Sequence, residues 1–378
     1  MKYLNDEQIS WCAAHEAEAL ELLKNLGSIP APSHNEHKRT QFIRDWLISN
    51  GAEGTYIDEA LNVIWPVNVT DRNKVNVLMA HTDIVFPDTD KLEVREENGN
   101  LYAPGIGDDT ANLVTLLMAG KYVAEHKLSP DEGLLIIANS CEEGLGNLKG
   151  SKQVMKDFAG RINELISIDG NYDSVVNNAV GSCRMRIAIH AQGGHSYGAF
   201  GNTNAIVQMS ELICRLYEKE PPQKAKTTYN VGVIEGGTTV NTICADCSLL
   251  YEYRSEDREC LAEMDAFFNS VIEEYREKGF NIEVEVLGIR PCKGDVDEAR
   301  QDELTQRMQA IMHEFTGLEI GAGAGSTDAN SALAEGVPSV TIGAICGHGA
   351  HTRGEWVEIA SLKAGLKIAL ATVLQYFK

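Results

Sequence analysis

The feature that most constrains this chain is a repeated alternation. Short apolar runs of strand length keep giving way to segments with helical periodicity. Val75-Asn76-Val77-Leu78-Met79, Leu134-Leu135-Ile136-Ile137-Ala138, Glu164-Leu165-Ile166-Ser167-Ile168 and Ser339-Val340-Thr341-Ile342 read as strands. The unbroken apolar run at 134–138 reads as buried on both faces. Helical spacing appears over 7–26, 36–50, 111–125, 149–158, 301–315 and 360–376. Together these predict an α/β layer with at least partly parallel strands.

The texture changes near Gly181. Residues 183–190 alternate towards strand, a helix follows near 203–218, strands near 228–235 and 247–254, a long helix near 257–278, and a last alternating run at 282–286. That is a compact α+β unit inside the larger pattern. The expected layout is an α/β domain of residues 1–180 and 291–378, with 181–290 inserted. A chain of 378 residues accommodates two such domains.

Composition excludes several roles. Lys and Arg total 33 against 55 Asp and Glu, so the formal charge is 33 − 55 = −22. Phosphate backbones call for the opposite excess, so nucleic acid is not an expected partner. The N-terminus Met1-Lys2-Tyr3-Leu4-Asn5-Asp6-Glu7 lacks the apolar stretch of a secretory signal. No apolar run reaches the roughly 18 residues that span a bilayer. Nine scattered cysteines suit free thiols in a reducing cytosol, so a cytoplasmic, non-membrane protein is expected. Cys244-Ala-Asp-Cys247 has metal or redox spacing but stands without a second pair.

The residues able to bind metal fall in a telling place. His81-Thr82-Asp83 begins two residues past the strand ending at Met79, Cys141-Glu142-Glu143 follows the strand ending near Ala138, and Asp169 directly follows Ile168. Gly105-Ile106-Gly107-Asp108-Asp109 opens the helix at Ala111, and His348-Gly349-Ala350-His351 lies just past the strand at 339–342. In open α/β sheets, sites form beyond the carboxyl ends of strands. Histidines and carboxylates without a cysteine cluster suit Zn, Mn or Co. So many acids would repel one another and take up protons unless divalent ions offset them. Two ions do so, activate water and stabilise a tetrahedral intermediate, and a free carboxylate beside them serves as general base. Taken singly, Asp108-Asp109 reads as a helix cap, Asp169-Gly170 as a turn and Glu142-Glu143 as a solvated pair. Independent surface acids would not keep falling after strands.

These residues, in order, resemble a known family. The series is Ile29-Pro30, Ser33 and Glu36; His81-Thr-Asp83; Gly105-Ile-Gly-Asp108-Asp109; Glu142-Glu143-Gly144; Asp169-Gly170; Gly193-Gly194-His195-Ser196; Gly236-Gly237 with Asn241; Arg254; Ser326-Thr327-Asp328; and Ala350-His351-Thr352-Arg353-Gly354-Glu355. It is similar to the co-catalytic di-metal metallopeptidases that include peptidase T, aminoacylase, glutamate carboxypeptidase and succinyl-diaminopimelate desuccinylase. The resemblance implies a catalytic domain with a mixed, mainly parallel sheet between helices, and an inserted ferredoxin-like lid or dimerisation domain. It implies that Asp108 bridges two ions, most simply zinc. His81 and Asp169 then complete one ion, and Glu143 and His351 the other. Glu142 would be the general base and Asp83 would orient His81. The Asp108–Asp109 peptide is expected to be cis. His195 would stabilise the oxyanion, in many members across a homodimer interface, and Asn241 and Arg254 would hold a substrate carboxylate.

The expected activity is metal-dependent hydrolysis of a peptide bond, with an N-acyl-amino-acid amidohydrolase as the close alternative. Arg254 has a competing reading as a salt bridge to Glu252 on the same strand. His348 is a rival to His351. The sequence departs from many relatives at Thr110, where Lys or an Asp-Asn pair is frequent, and at Asn139-Ser140-Cys141. Gly105-Ile-Gly107 lacks the third glycine of a dinucleotide fingerprint and leads into two acids. Gly321-Ala-Gly323-Ala-Gly325 lacks a phosphate-gripping Lys and reads as flexible backbone near Ser326-Thr327-Asp328.

Overall fold

Four of the apolar runs form adjacent parallel strands in the computed structural model, which describes residues 2–377. Val75–His81 lies between Gly133–Asn139 and Ile162–Ile168, and Ser339–Ile342 follows beside Ile162–Ile168. Every residue of Val75–His81, Gly133–Asn139 and Ser339–Ile342 is buried. Successive side chains go to opposite faces. Leu78, Ala80, Leu134 and Ile136 face one apolar core, and Val75, Val77, Met79, Leu135 and Ile137 face another. Both faces are covered, which explains runs without polar alternation.

The first core is closed by helices Glu16–Gly27, His37–Ser49, Asn112–Glu125, Glu298–Thr316 and Leu362–Leu374, the second by Lys149–Asp157 and part of Ala329–Ala334. The sheet grows to eight strands by antiparallel Val63–Val67 and Tyr56–Ile57 on one side. Ser174–Ala179, antiparallel to Ser339–Ile342, and then Gly321–Gly325 extend the other. Local chemistry sets the ends of Glu298–Thr316. Asp297 accepts from the amides of Ala299 and Arg300, and Gly317 closes the helix at φ +72°.

Two local expectations differ from the structure. The helix over 7–26 is two helices, Asp6–Ala14 and Glu16–Gly27, parted at His15. The His15 Nδ1 lies 2.8 Å from the Trp11 carbonyl and its ring stacks on the Trp11 indole, so the side chain competes with the backbone ladder there. The glycine run 321–325 is an exposed edge strand, parallel to Ser174–Ala179. An edge strand needs pairing on one side only, so low strand propensity is tolerated.

The chain forms two compact units, one running to Ala179 and resuming at Asp295, the other Val180–Gly294. In the second, Thr227–Gly236, Asp246–Ser255, Gly181–His190 and Asn281–Arg290 form an antiparallel sheet in that order. With helices Ala205–Leu216 and Arg258–Glu277, the order βαββαβ is ferredoxin-like. Cys183, Met185, Ile187 and Ile189 point to its core with Met264 and Phe268. The Cys244 and Cys247 thiols are buried in this core, not paired.

Ile166 is fully buried on a central strand. Ile166→Ala should cost about 3 kcal/mol through lost burial and a residual cavity. The measurement is the urea midpoint of the far-ultraviolet signal; an unchanged midpoint would contradict the packing described.

Candidate metal centre

The sheet register levels the strand ends. His81 sits opposite Asn139, and Ile168 opposite Ile342. The segments that leave these positions therefore emerge at one edge: His81 to Asp83, Ser140 to Glu143, Asp169, and the loop from Gly343 towards His351. The turn Ile106–Ala111 brings Asp108 to the same edge. The Asp108–Asp109 peptide is cis.

Asp108 stands at the centre. Its Oδ1 lies 3.1 Å from His81 Nε2 and its Oδ2 lies 3.2 Å from His351 Nε2. His351 Nε2 is also 3.3 Å from Glu143 Oε1, a buried oxygen with no hydrogen-bond partner. Two sets of potential ligand atoms, each within 4.8 Å of one another, share this carboxylate: His81, Asp108 and Asp169, and Asp108, Glu143 and His351. Beside them a cavity of ≈ 150 Å³ is lined by Asp108, Asp169, Gly107, His348 and Glu355 among others.

Charge is crowded here. Burial, with the Asp108 charge adding, pushes Asp169 up to about 7. Burial and Asp169 hold Asp109 well above the carboxylate range, and burial raises Asp328. Burial opposes charge on His81 as well, yet Asp109, Asp108 and Asp83 together keep it well above an ordinary imidazole. His351 rises to about 10 through its contacts with Asp108 and Glu143. Against its burial, the two imidazoles hold Asp108 well below the usual range. Protonated histidines thus do the compensating that divalent ions can do better. Two imidazoles, two carboxylates and one shared acid form a donor set that fits a pair of such ions.

The supporting contacts are local and specific. Asp83 is fully buried, and its carboxylate accepts from Ser33 Oγ at 2.6 Å and from the amides of Glu142 and Glu143 at 2.9 and 3.0 Å. His81 Nδ1 sits 3.1 Å from the Asp83 carbonyl and 3.5 Å from its Oδ1, which points Nε2 at Asp108. Cys141, at φ +55°, turns the chain so that the two glutamate amides reach Asp83. His351 also has a left-handed backbone, φ +63°. Non-glycine residues rarely adopt that region, and it costs about 1–3 kcal/mol each.

Some contributors were not assigned from sequence. Glu355 accepts amide protons from Gly105, Gly107 and Asp108 at 2.8–2.9 Å, cradling the turn that presents the shared acid. Burial lifts it to about 7. Asp109 Oδ2 accepts from the His81 amide. Arg39 is wholly buried and donates to the carbonyls of Ile29 and Thr82 and to Thr110 Oγ1. Thr110 in turn donates to the Gly105 carbonyl, which links Arg39 to the Gly105 turn. The only sequence signal for Glu355 was its place in the Thr352-Arg-Gly-Glu run; for Arg39 there was none.

The structure brings His81, Asp83, Asp108, Glu143, Asp169 and His351 together, and Glu142 is buried next to Glu143. His348 instead stacks on Trp356 and meets Cys346 and Glu358. In the second unit, exposed His195 pairs with Thr242, and the Ser196 amide donates to the Asn241 carbonyl. Arg254 lies apart from Asn241. It lies at the far end of Asp246–Ser255 from Asn241, about eight residues or about 26 Å of extended strand away. Within one copy the two cannot clasp a common carboxylate. Arg254 Nε and Nη2 both donate to Glu252, at 3.0 and 2.9 Å, the competing salt bridge.

Residues 77–375 match the family described as "Peptidase family M20/M25/M40". Acetylornithine deacetylase of Myxococcus xanthus is 28% identical over 190 residues, 47% of this chain and 48% of that protein, so the match spans about half its length. A tripeptidase from Staphylococcus aureus has the same fold with a TM-score of 0.73 at 21% identity, covering 96% of this chain and 98% of that one. The M20 family metallo-carboxypeptidase Sso-CP2 from Sulfolobus solfataricus gives 0.75 at 13%, covering 95% and 99%.

Two raised pKa values tilt stability the same way. Asp169, ordinarily near 3.8, ionises at about 7, so the metal-free fold loses stability as pH climbs towards 7. His351 stabilises while protonated; that contribution is complete below its ordinary 6.5 and is lost as pH rises through about 10. The chelated protein should therefore melt progressively lower from about pH 6 to about pH 9, and saturating zinc should raise and flatten the curve. A melting temperature insensitive to pH after chelation would contradict this electrostatic picture.

Proposed function

Because the chain belongs to peptidase family M20/M25/M40, we propose that it hydrolyses a peptide amide bond, in a di- or tripeptide or at a chain terminus. The observation that supports this most is the single acid Asp108, which offers one oxygen to each of two histidines. When bound, two divalent ions, with zinc best suited to the donors and Mn or Co as alternatives, supply Lewis-acid polarisation and activation of water. Asp108 is the shared ligand; His81 and Asp169 hold one side, Glu143 and His351 the other.

Glu142 is the general base. It takes the proton of the attacking water and returns it to the leaving amine. Asp83 fixes its amide and at the same time orients His81. His195 donates to the carbonyl oxygen as negative charge develops there. It does so from the partner copy of a homodimer, beside Asn241. Exposed Tyr197 and Phe200 next to His195, and Val233 and Ile234 on an outer strand, support such an apolar contact. Arg254 exchanges its Glu252 partner for a substrate carboxylate, a bidentate contact.

A second reading has the same chemistry acting on N-acyl amino acids. The local likeness to a deacetylase favours it. A cytoplasmic setting is supported by nine cysteines without a disulfide. Among the described residues no helix is long and apolar enough to cross a membrane.

Three measurements test this. Released amine from a panel of di- and tripeptides and N-acyl amino acids, with Zn, Mn or Co, separates the two substrate readings; no release from either class would reject both. Glu142→Gln should keep its metal and lose at least about 100-fold in kcat; undiminished turnover would remove Glu142 as base. Mixed Glu142→Ala and His195→Ala proteins should recover activity through hybrid dimers. No recovery after proven subunit exchange would place His195 in its own subunit.

A further inference from the structure

The base of the hairpin that ends in His351 holds a second kind of cluster. Cys346 Sγ lies 3.5 Å from His348 Nε2 and 3.6 Å from Glu358 Oε1, and His348 Nε2 lies 3.3 Å from that same oxygen. Thiol, imidazole and carboxylate thus form a small triangle that shares no residue with the Asp108 centre.

Its edges have a meaning. Tetrahedral zinc binds sulfur at about 2.3 Å, nitrogen at about 2.05 Å and oxygen at about 2.0 Å. These lengths set the ligand separations near 3.6 Å for S···N, about 3.5 Å for S···O and about 3.3 Å for N···O. All three observed edges match these separations within about 0.1 Å. An ion placed to one side of the triangle is within reach of all three atoms.

The scaffold is prearranged as well. Gly347 and His348 pair with Val357 and Trp356, and the Glu358 amide donates to the Cys346 carbonyl at 2.9 Å. The Trp356 ring stacks on His348 at 4.1 Å. Asn171 clamps Gly347 from both sides, accepting from its amide at 2.7 Å and donating to its carbonyl at 3.1 Å. The His348 and Glu358 side chains are 43% and 42% exposed, which leaves an entry path and room for a fourth ligand from solvent. Glu358 and Asp173 place negative charge near the thiol, a field that favours a cation.

The geometry points to a third metal site at Cys346, His348 and Glu358, taking a zinc-like divalent ion that braces the hairpin carrying His351 and Glu355. The thiolate makes it softer than the Asp108 centre, whose donors are only nitrogen and oxygen. Binding releases the thiol proton to solvent.

Cobalt(II) titration of the metal-stripped full chain tests this. Only a sulfur ligand gives thiolate-to-cobalt charge-transfer absorption in the near ultraviolet. Wild type should show that band with a third equivalent of bound cobalt. Cys346→Ser should lose both the band and one equivalent, and Glu358→Ala should weaken that equivalent at least tenfold. No band in the wild type, or an unchanged band in Cys346→Ser or Glu358→Ala, would overturn the site. The band reports the sulfur alone, so failure of the Asp108 centre would show separately, as loss of two equivalents with the band intact.

Discussion

Negative charge gathered at one buried edge is the constraint on which the rest of this structure depends. Asp83, Asp109 and Asp328 are wholly buried, and Glu142 and Glu143 nearly so. Carboxylates out of water and close together stay ionised only if something positive faces them. In the protein alone, the imidazoles of His81 and His351 and the guanidinium of Arg39 supply part of that charge, and amide protons supply more. Asp83 takes two amides and a hydroxyl; Glu355 takes three amides. The remainder, chiefly Asp169, is expressed as a raised pKa. A fold that maintains such a cluster is organised around a cationic guest.

Parallel strands make the arrangement possible. Their carboxyl ends all face one way, so each strand delivers its following residues to the same edge. Two of the proposed ligands, His81 and Asp169, need only the strand and at most one further residue. That is why they were legible from the chain alone. An acid just past a buried apolar run has a fixed destination, whatever the strand order. The parallel core and the βαββαβ pattern of the insertion rested on the same local signals, whereas the preference for His351 over His348 rested on the resemblance of Thr352-Arg-Gly-Glu to a family motif.

What sequence did not reveal is long-range and polar. Glu355 serves amides 247 to 250 positions earlier, and no spacing rule encodes that meeting. Arg39 looks like any surface helix cation until its burial beneath Thr82 is seen. Asn241 and Arg254 lie thirteen positions apart in the chain, yet an intervening strand carries them to opposite ends of a sheet. Helix periodicity across His15 concealed a break made by a side chain, because a periodicity count registers apolar positions and not carbonyl competition. In each case the deciding interaction was a hydrogen bond, whereas the apolar pattern determined only which elements exist.

The two sides of the shared acid are not equivalent. His81 ends a central strand, is 1% exposed and is held by Asp83 and by Asp109 through its amide. His351 sits on a hairpin at 59% exposure with a left-handed backbone. Rigidity on one side fixes the His81 imidazole in place; openness on the other leaves Asp108 approachable from the His351 side. The hairpin cannot be rigidified by strand packing without closing that approach. It is instead tied at its base, by the Glu355 cradle beneath the Gly105 turn and by the Asn171 clamp on Gly347. A brace at Cys346, His348 and Glu358 would act at the same base, steadying the exposed His351 from behind while its face towards the shared acid stays free.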